Sequence, residues 1–264
     1  MAAYGKITLR NYRCFGWNNP AILEFGDGFT AYVGPNNVGK SSAIRAIFEL
    51  RGILGNVIST LVNNNGNRSS EQPAGVSDIA EVVNDKNPEK FEIKIEIEPP
   101  IRVGSTSYAV EITIEFEYTT RTFNAIGFQF INSSGQIVVV ASTQMSAISL
   151  VNAGSHVVAY QGTQIDCSSL YFFASDLAKS KYFPAFRNAI NEGGGQYYDL
   201  AVGTALVQTW DSWKAGTNRA QKVAIGKVEK QIADLLGFGS LQINADQTGK
   251  TLDVIIDQLR TTLK

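Results

Sequence analysis

A glycine-rich segment near the amino end carries the residue types that proteins use to bind phosphate. Residues 34–41 read Gly-Pro-Asn-Asn-Val-Gly-Lys-Ser, the pattern G-x-x-x-x-G-K-[S/T]. Gly34 and Gly39 let successive backbone N–H groups turn toward an anion, and a following helix adds the positive end of its dipole. Lys40 would place a cation near the β- and γ-phosphates, and the Ser41 hydroxyl would ligate Mg²⁺. We therefore expect a nucleoside triphosphate site.

The residues around this loop predict the elements that must hold it. The apolar run 29–33 predicts a strand that enters the loop, and 42–50 predicts the helix that leaves it. Further strands are predicted at 6–10 and Ala21–Phe25. A Gly-Asp-Gly turn at 26–28 leads from the second of these strands into the run 29–33. A strand–loop–helix arrangement is the context in which this motif binds phosphate.

A strict alternation of apolar and polar residues follows the loop helix. It runs through 91–98 and 108–118, with glutamates on the polar side, and predicts antiparallel strands with one solvated face. The six glutamates are Glu92, Glu96, Glu98, Glu111, Glu115 and Glu117. We interpret them as surface residues of a sheet, since alternation alone accounts for their spacing. A further hairpin is predicted from 126–131 to 136–141, with its turn at Asn-Ser-Ser-Gly.

Beyond residue 170 the pattern becomes helical. Helices are predicted at 201–215 and 218–237, the second with Val228, Ile232 and Leu235 or Leu236 at helical spacing. Two short strands, 241–244 and 251–257, complete the segment as a hairpin.

Composition narrows the classes of function. The chain has 264 residues, 23 Lys+Arg and 24 Asp+Glu, so its net charge of −1 does not indicate a general nucleic-acid binder. Two cysteines and one histidine argue against a disulfide framework and against histidine-based zinc chemistry. No apolar run approaches the roughly 18 residues of a membrane span and no signal peptide is evident, so we expect a cytoplasmic protein without a membrane partner.

The opening segment 7–15, Ile-Thr-Leu-Arg-Asn-Tyr-Arg-Cys-Phe, and its distance from the phosphate loop resemble the ABC-type ATPase heads of the RecF and SMC group. The resemblance extends to the bacterial overcoming-lysogenization-defect (OLD) and AAA-15/AAA-21 family, whose members often serve in anti-phage defence. Residues 181–188, Lys-Tyr-Phe-Pro-Ala-Phe-Arg-Asn, resemble that family's Y-I-P-x-F-R segment, and 210–264 resemble the region before its signature motif.

The resemblance implies roles for particular residues. Lys40 would be the catalytic lysine, Ser41 the metal ligand, and Ser42 a contact to the α-phosphate. Arg13 matches the family's N-Y/F-R position near the nucleotide, with an ordinary surface or interdomain arginine as the alternative. Arg187 lies where relatives enter the Q-loop. The full set of expected nucleotide-binding residues is Gly34, Asn36, Asn37, Val38, Gly39, Lys40, Ser41, Ser42 and Arg13, with ATP and Mg²⁺ as cofactors.

Other parts of an ABC-type head are missing from the pattern. Residues 192–196, Glu-Gly-Gly-Gly-Gln, mimic a signature motif, but no apolar strand ending in Asp-Glu follows. Val254 to Asp257 mimics a Walker B strand, although Gln258 stands where the catalytic glutamate belongs. We therefore expect these residues to be the first part of a longer protein, able to bind ATP and poor at hydrolysing it alone.

The resemblance implies an α/β fold of the P-loop NTPase class, ABC/SMC-like, with a mixed core sheet, an antiparallel β-subdomain and a helical subdomain. The expected parts are 1–90, a nucleotide-binding core; 91–188, an antiparallel subdomain that returns to the core; and 189–264, helices and a hairpin. The expected partners are a second copy through ATP-driven dimerisation of heads, a nuclease or other effector, and DNA. Five cations could contact DNA phosphates, with a solvated helix face as the alternative: Lys214, Arg219, Lys222, Lys227 and Lys230.

Two other classes of function remain open. A self-sufficient GTPase or nucleotide kinase would need a motif such as N-K-x-D, which 84–87, Asn-Asp-Lys-Asn, does not supply. A non-catalytic scaffold would bind ATP only to order an assembly interface. The long antiparallel segment argues against an ABC transporter subunit.

Overall fold

The computed structural model of the chain describes residues 5–26, 30–34, 38–62, 73–76, 78–84, 86, 90–98, 104–182, 195–197, 200–202, 204–246, 251–257 and 259–263. The chain divides into two compact units, Met1–Ser180 and Lys181–Lys264. In the described ranges no helix is both long and apolar enough to cross a membrane.

The described residues of the first unit form a nine-stranded mixed sheet. The strands are β1 Gly5–Arg10, β2 Ala21–Phe25, β3 Lys90–Ile97, β4 Ser107–Glu117, β5 Thr122–Ile131, β6 Ile137–Val140, β7 Ser149–Leu150, β8 Val157–Tyr160 and β9 Thr163–Asp166. Seven of them follow the order β2-β1-β3-β4-β9-β8-β7, while β5 pairs with β4 and β6 pairs with β5. Strand β9 pairs in parallel with the start of β4, and the remaining pairings are antiparallel.

The alternation predicted for β3 and β4 is confirmed. Phe91 lies opposite Phe116, and Ile93 opposite Ile114, with all four side chains buried on one face. The charged residues lie on the other face, as expected, but most are only partly exposed because they pair with each other. The predicted turn between β5 and β6 is also confirmed, since the Asn132 side chain accepts hydrogen bonds from two backbone N–H groups of that turn.

In the described part of the first unit, four α-helices cover the apolar face of the sheet. They are α1 Lys40–Glu49, α2 Arg51–Gly55, α3 Val57–Val62 and α4 Ser168–Ala178. Helix α1, predicted over 42–50, presents Ala46 and the following Leu50 to Leu9 and Leu23 of the sheet. Burial of such apolar side chains is the main force that holds the phosphate-loop helix on the sheet.

The strand predicted over 29–33 is wrong for the part that the structure describes. Thr30–Val33 belongs to no strand, and Val33 is 91% exposed. Phe29 lies outside the described residues. A β-branched and aromatic run has the propensity for a strand, but a strand forms only where a neighbour pairs with its backbone. None of the described strands pairs with this run.

The residues of the second unit that the structure describes form two small sheets and two helices. Its elements are β10 Gly195–Tyr197, β11 Leu200–Val202, α5 Thr204–Ala215, α6 Arg219–Leu236, β12 Leu241–Asp246, β13 Thr251–Ile256 and β14 Leu259–Leu263. Strand β10 pairs with β11, and β13 pairs with both β12 and β14, all antiparallel. The predicted hairpin is therefore confirmed, with β14 as a third strand that the pattern did not indicate.

Two predictions for the helices of this unit need correction. Residues 201 and 202 belong to β11, so α5 begins three residues later than predicted. Helix α6 has the predicted limits, because Asn218 caps its start and Gly237 ends it in a left-handed conformation. Its buried positions, however, are Ile225 and Ala233, whereas Leu235 is 83% exposed. Helical spacing identifies a stripe but not which edge of that stripe the neighbouring sheet covers.

The α/β class expected from the sequence is confirmed, with a large mixed sheet and packed helices. The division into three parts stays a prediction. The nine-stranded sheet nevertheless joins β1 and β2 directly to β3 and β4, across residue 90.

Candidate nucleotide-binding site

The amino end of α1 is built to receive an anion. The helix begins at Lys40, directly after Gly39, whose φ of +90° is a left-handed conformation that favours glycine. No described side chain caps this end, and the first turn contains no acidic residue. The first N–H groups of a helix have no partner within the helix, and its dipole adds a partial positive charge there. The end therefore attracts negative charge.

Lys40 reaches back across the phosphate loop. Its Nζ donates a hydrogen bond to the backbone oxygen of Gly34, 2.7 Å away, which links the two glycine ends of the loop. Ser41 is exposed, Ser42 is half-buried, and Val38 is 50% exposed. Asn36 and Asn37 lie outside the described residues. The predicted site residues that the structure describes here therefore lie together, with a hydrogen-bonded ammonium group and an exposed hydroxyl.

Gly39 lies directly against the turn that follows β1. A Cβ atom placed on Gly39 would come within 2.6 Å of Cys14 Sγ and 2.7 Å of the Phe15 ring. The second glycine of the motif thus meets two requirements at once, a positive φ and the absence of a side chain. The sequence pattern indicated the first requirement; the contact with Cys14 and Phe15 is a tertiary feature.

Arg13, expected near the nucleotide, pairs with the other end of the same helix. Its Nη2 and Nε both donate to the carboxylate of Glu49, the Nε at 3.1 Å from Oε2. The Tyr12 hydroxyl donates to the same carboxylate, and Arg45 Nε lies 2.6 Å from its Oε1. The Glu49 side chain is 0% exposed. Two guanidinium groups and a phenol therefore surround one buried carboxylate.

The surroundings of this carboxylate perturb the pKa values of its partners. Burial, and then the charge of Glu49, raises the pKa of the Tyr12 hydroxyl well above its usual range, so the phenol stays protonated. Burial by itself would lower the pKa of Arg13, but the hydrogen bonds to Glu49 and Tyr12 outweigh it and raise that pKa. Both groups therefore remain hydrogen-bond donors over the whole physiological range of pH.

Sequence reasoning did not identify Glu49 as part of the site. It appeared only as one residue of the predicted helix. The four-residue spacing between Arg45 and Glu49 was a visible signal for an ion pair along the helix. Nothing local indicated Tyr12 and Arg13, which lie more than thirty-five residues earlier in the chain.

The segments that mimic other ATPase motifs have different places in the structure. Asp257, the last residue of the Walker B-like run, accepts hydrogen bonds from the backbone N–H groups of Gly239 and Ser240. It stabilises a turn beside β13, whose partners are antiparallel. Of the signature-like residues 192–196, only the last two are described, in β10. Arg187 lies outside the described residues.

The glutamates of the sheet form ion pairs. Lys94 contacts Glu111 and Glu96, Lys90 contacts Glu115, and Arg10 contacts Glu92. The part of the chain that the structure describes has no group of three or more histidine, cysteine or acidic residues that could hold a metal ion.

The donor set at α1 fits a nucleotide phosphate. An uncapped helix end, a lysine ammonium and a serine hydroxyl supply the charge and hydrogen-bond donors that phosphate and its metal ion require. Residues 6–191 match a family model described as AAA domain, a group whose P-loop ATPases generally bind ATP and Mg²⁺. No curated protein matches the chain. Because the family match covers more than half of the chain and includes the phosphate loop, this chain belongs to the AAA-domain family of nucleotide-binding P-loop ATPases.

Proposed function

We propose that this chain binds ATP with Mg²⁺ through Gly34, Asn36, Asn37, Val38, Gly39, Lys40, Ser41 and Ser42. In this proposal the backbone N–H groups at the start of α1 bind the phosphates. Lys40 leaves the Gly34 carbonyl for the β- and γ-phosphates, where it also acts as the catalytic lysine. Ser41 ligates the metal ion. A bound Mg²⁺ would neutralise charge between the outer phosphates.

The observation that carries the proposal is the start of α1. No described side chain caps this helix end, its first turn has no acidic residue, and the Lys40 ammonium lies 2.7 Å from the Gly34 oxygen. A lysine bonded to a neutral carbonyl can exchange that bond for a phosphate oxygen with a large electrostatic gain. Exposure of Ser41 and Val38 agrees with a loop that a ligand can reach.

We further propose that ATP drives dimerisation of two such heads, which controls a nuclease or another effector, in bacterial phage defence or DNA maintenance. The support is the resemblance of 7–15 and 181–188 to the OLD and RecF-like heads. ATP hydrolysis, the dimer and the cytoplasmic location belong to the same proposal. Direct binding of DNA by the basic residues of α5 and α6 has weaker support, since Lys214 of α5 pairs with Glu229 and Lys230 of α6 pairs with Asp234.

Titration of the chain with Mg²⁺-ATP by calorimetry tests the binding step. Lys40→Ala should weaken binding between about 10- and 100-fold, because it removes a charge-assisted bond. Lys179→Ala is the matched control, since Lys179 is an exposed lysine of the same unit whose ion pair with Asp176 is long, at 3.7 Å. Equal affinities for the two variants would contradict the proposal.

Turnover separates an ATPase from a scaffold. The Lys40-dependent rate of phosphate release is measured at several protein concentrations, with and without DNA. If two heads form one active site, the rate per chain should rise with protein concentration. Tight binding of ATP with no Lys40-dependent release under any of these conditions would favour the non-catalytic scaffold.

A further inference from the structure

We propose that the turn of residues 11–15, called here the clamp turn, positions the phosphate loop and that Glu49 is the positioning residue through which it acts. The inference rests on the proposed ATP site and adds to it a control element at the opposite end of α1. It assigns Arg13 an indirect role, through Glu49.

The clamp turn contacts both ends of the phosphate-loop helix. Cys14 and Phe15 enclose Gly39, the residue before the helix, while Tyr12 and Arg13 bind Glu49, its last residue. The helix has ten residues and is about 15 Å long. One short turn therefore contacts the helix at both its start and its end.

The Glu49 contact is specific because of its burial. Its carboxylate is withdrawn from water, so it must keep its hydrogen bonds to Tyr12 and Arg13 or lose solvation without compensation. Ala74 N also donates to the backbone oxygen of Glu49, at 2.7 Å, which holds the end of the helix from another side. The end of the helix is therefore held both through the Glu49 carboxylate and through its backbone oxygen.

The clamp turn is itself tied to a segment outside the helix. Arg13 N donates to Val82 O at 2.8 Å, and the Asn84 side chain donates to Arg13 O at 2.6 Å. Asn11 and Arg13 both have left-handed φ values, +54° and +50°, which cost conformational energy and persist only where the surroundings hold them. The turn is thus a fixed support, and loss of the Glu49 contact removes its hold on the carboxyl end of the helix.

This geometry sets a direct test of the role of Arg13. Two of its nitrogen atoms already bind Glu49, and its side chain is mostly buried. If Arg13 acts through Glu49, removal of either partner should have the same effect on ATP. If Arg13 binds phosphate itself, removal of Glu49 should leave the affinity for ATP unchanged or increase it.

The experiment compares Glu49→Gln with Glu92→Gln. Glu92 is the matched control because it also pairs with an arginine, Arg10, and is largely buried, but lies on the opposite face of the sheet. Two quantities are measured on folded protein: the affinity for Mg²⁺-ATP, and the rate at which a thiol reagent modifies Cys14 without nucleotide. Glu49→Gln should lower the affinity for Mg²⁺-ATP about tenfold and change the rate of Cys14 modification severalfold, since small displacements at a positioned site have large effects. Glu92→Gln should change neither.

Further variants make each outcome decisive. Arg13→Ala should reproduce the Glu49→Gln loss, and the double variant should lose no more than either single one. Loss of ATP affinity in Arg13→Ala with wild-type affinity in Glu49→Gln would overturn the proposal and make Arg13 a phosphate ligand. If Glu49→Gln does not fold, Tyr12→Phe removes one donor conservatively, and an unchanged ATP affinity and Cys14 rate in that variant would likewise overturn it.

Failure of the ATP site and failure of the clamp are distinguishable. Absence of Mg²⁺-ATP binding by the unaltered chain would reject the proposed function. The Cys14 rate needs no nucleotide, so an altered rate in Glu49→Gln beside a normal rate in Glu92→Gln would still support the clamp.

Discussion

The two ends of the phosphate-loop helix have opposite environments. At the start, Lys40 and Ser41 face the surface, and no described side chain caps the helix. At the finish, the Glu49 carboxylate is fully buried and surrounded by donors from Tyr12 and Arg13. Polar groups that the protein itself satisfies contribute to stability, whereas polar groups left for a ligand contribute to binding. The comparison therefore predicts that stability and ATP affinity depend on different ends of one helix.

The largest expected effect on stability is at the buried end. Glu49→Ala leaves the buried Tyr12 hydroxyl and the partly buried guanidinium groups of Arg13 and Arg45 without their shared carboxylate. It should lower the free energy of unfolding by about 3–5 kcal/mol. Glu115→Ala removes a more exposed pair with Lys90 and should cost less than about 1 kcal/mol. Urea unfolding followed by circular dichroism measures both. Similar losses in the two variants would remove the distinction between the buried end and an ordinary ion pair.

A smaller effect is expected at Gly39. Gly39→Ala combines a left-handed backbone with a contact of 2.6 Å to Cys14 Sγ, and should cost about 2–3 kcal/mol. Gly162→Ala has a similar φ of +79° but nothing within 4 Å of the added Cβ, so it should cost about 1 kcal/mol. Thermal unfolding of the two variants isolates the packing contribution. Equal losses of stability in the two variants would mean that the clamp turn moves to accommodate a side chain at residue 39 without loss of free energy.

The two cysteine thiols of the chain differ in exposure in the same way as the two ends of the helix. Cys14 is exposed beside Gly39, whereas burial, and then the charge of Asp166, raises the pKa of Cys167 from 9.0 to about 12. At pH 8 one thiol per chain should react quickly with a disulfide reagent, and Mg²⁺-ATP should slow that reaction. Rapid reaction of both thiols at pH 8 would contradict the assignment of Cys167 as the buried thiol.

The raised pKa of Cys167 also predicts how stability depends on pH. Because folding favours the protonated Cys167, its contribution to stability is complete below pH 9 and is lost as the pH rises to about 12. The free energy of unfolding of Cys167→Ala should therefore fall less than that of the unaltered chain over that interval.

The smallest effect on stability is expected at the open end. Lys40→Ala removes a surface hydrogen bond to Gly34 and should change the free energy of unfolding by less than about 0.5 kcal/mol. The same variant should strongly lower the affinity for ATP. Chemical unfolding without nucleotide provides the measurement. A loss as large as that of Glu49→Ala would show that Lys40 serves the fold and would end the division between the two ends.

Local patterns predicted much of this architecture because their causes lie within a few residues. The alternation in β3 and β4, the Asn132 turn and the Asn218 and Gly237 limits of α6 all follow from side-chain periodicity or from backbone preference. The predicted strand over 29–33 was wrong for the opposite reason, and the helical spacing of Val228, Ile232 and Leu235 or Leu236 did not identify the buried positions of α6. Each depends on a neighbouring element that pairs with it or covers it, and propensity carries no information about that neighbour.

The sequence by itself determined the chemistry of the loop: two glycines, a lysine and a serine in fixed spacing, followed by a helix with no acid in its first turn. Those properties are local, since the spacing and the helix dipole suffice to create an anion site. Only the tertiary structure decided that Gly39 packs on Cys14 and that Arg13 binds Glu49. Such contacts join residues far apart in the chain, and burial gives them their strength by removing the water that would otherwise compete for the same groups.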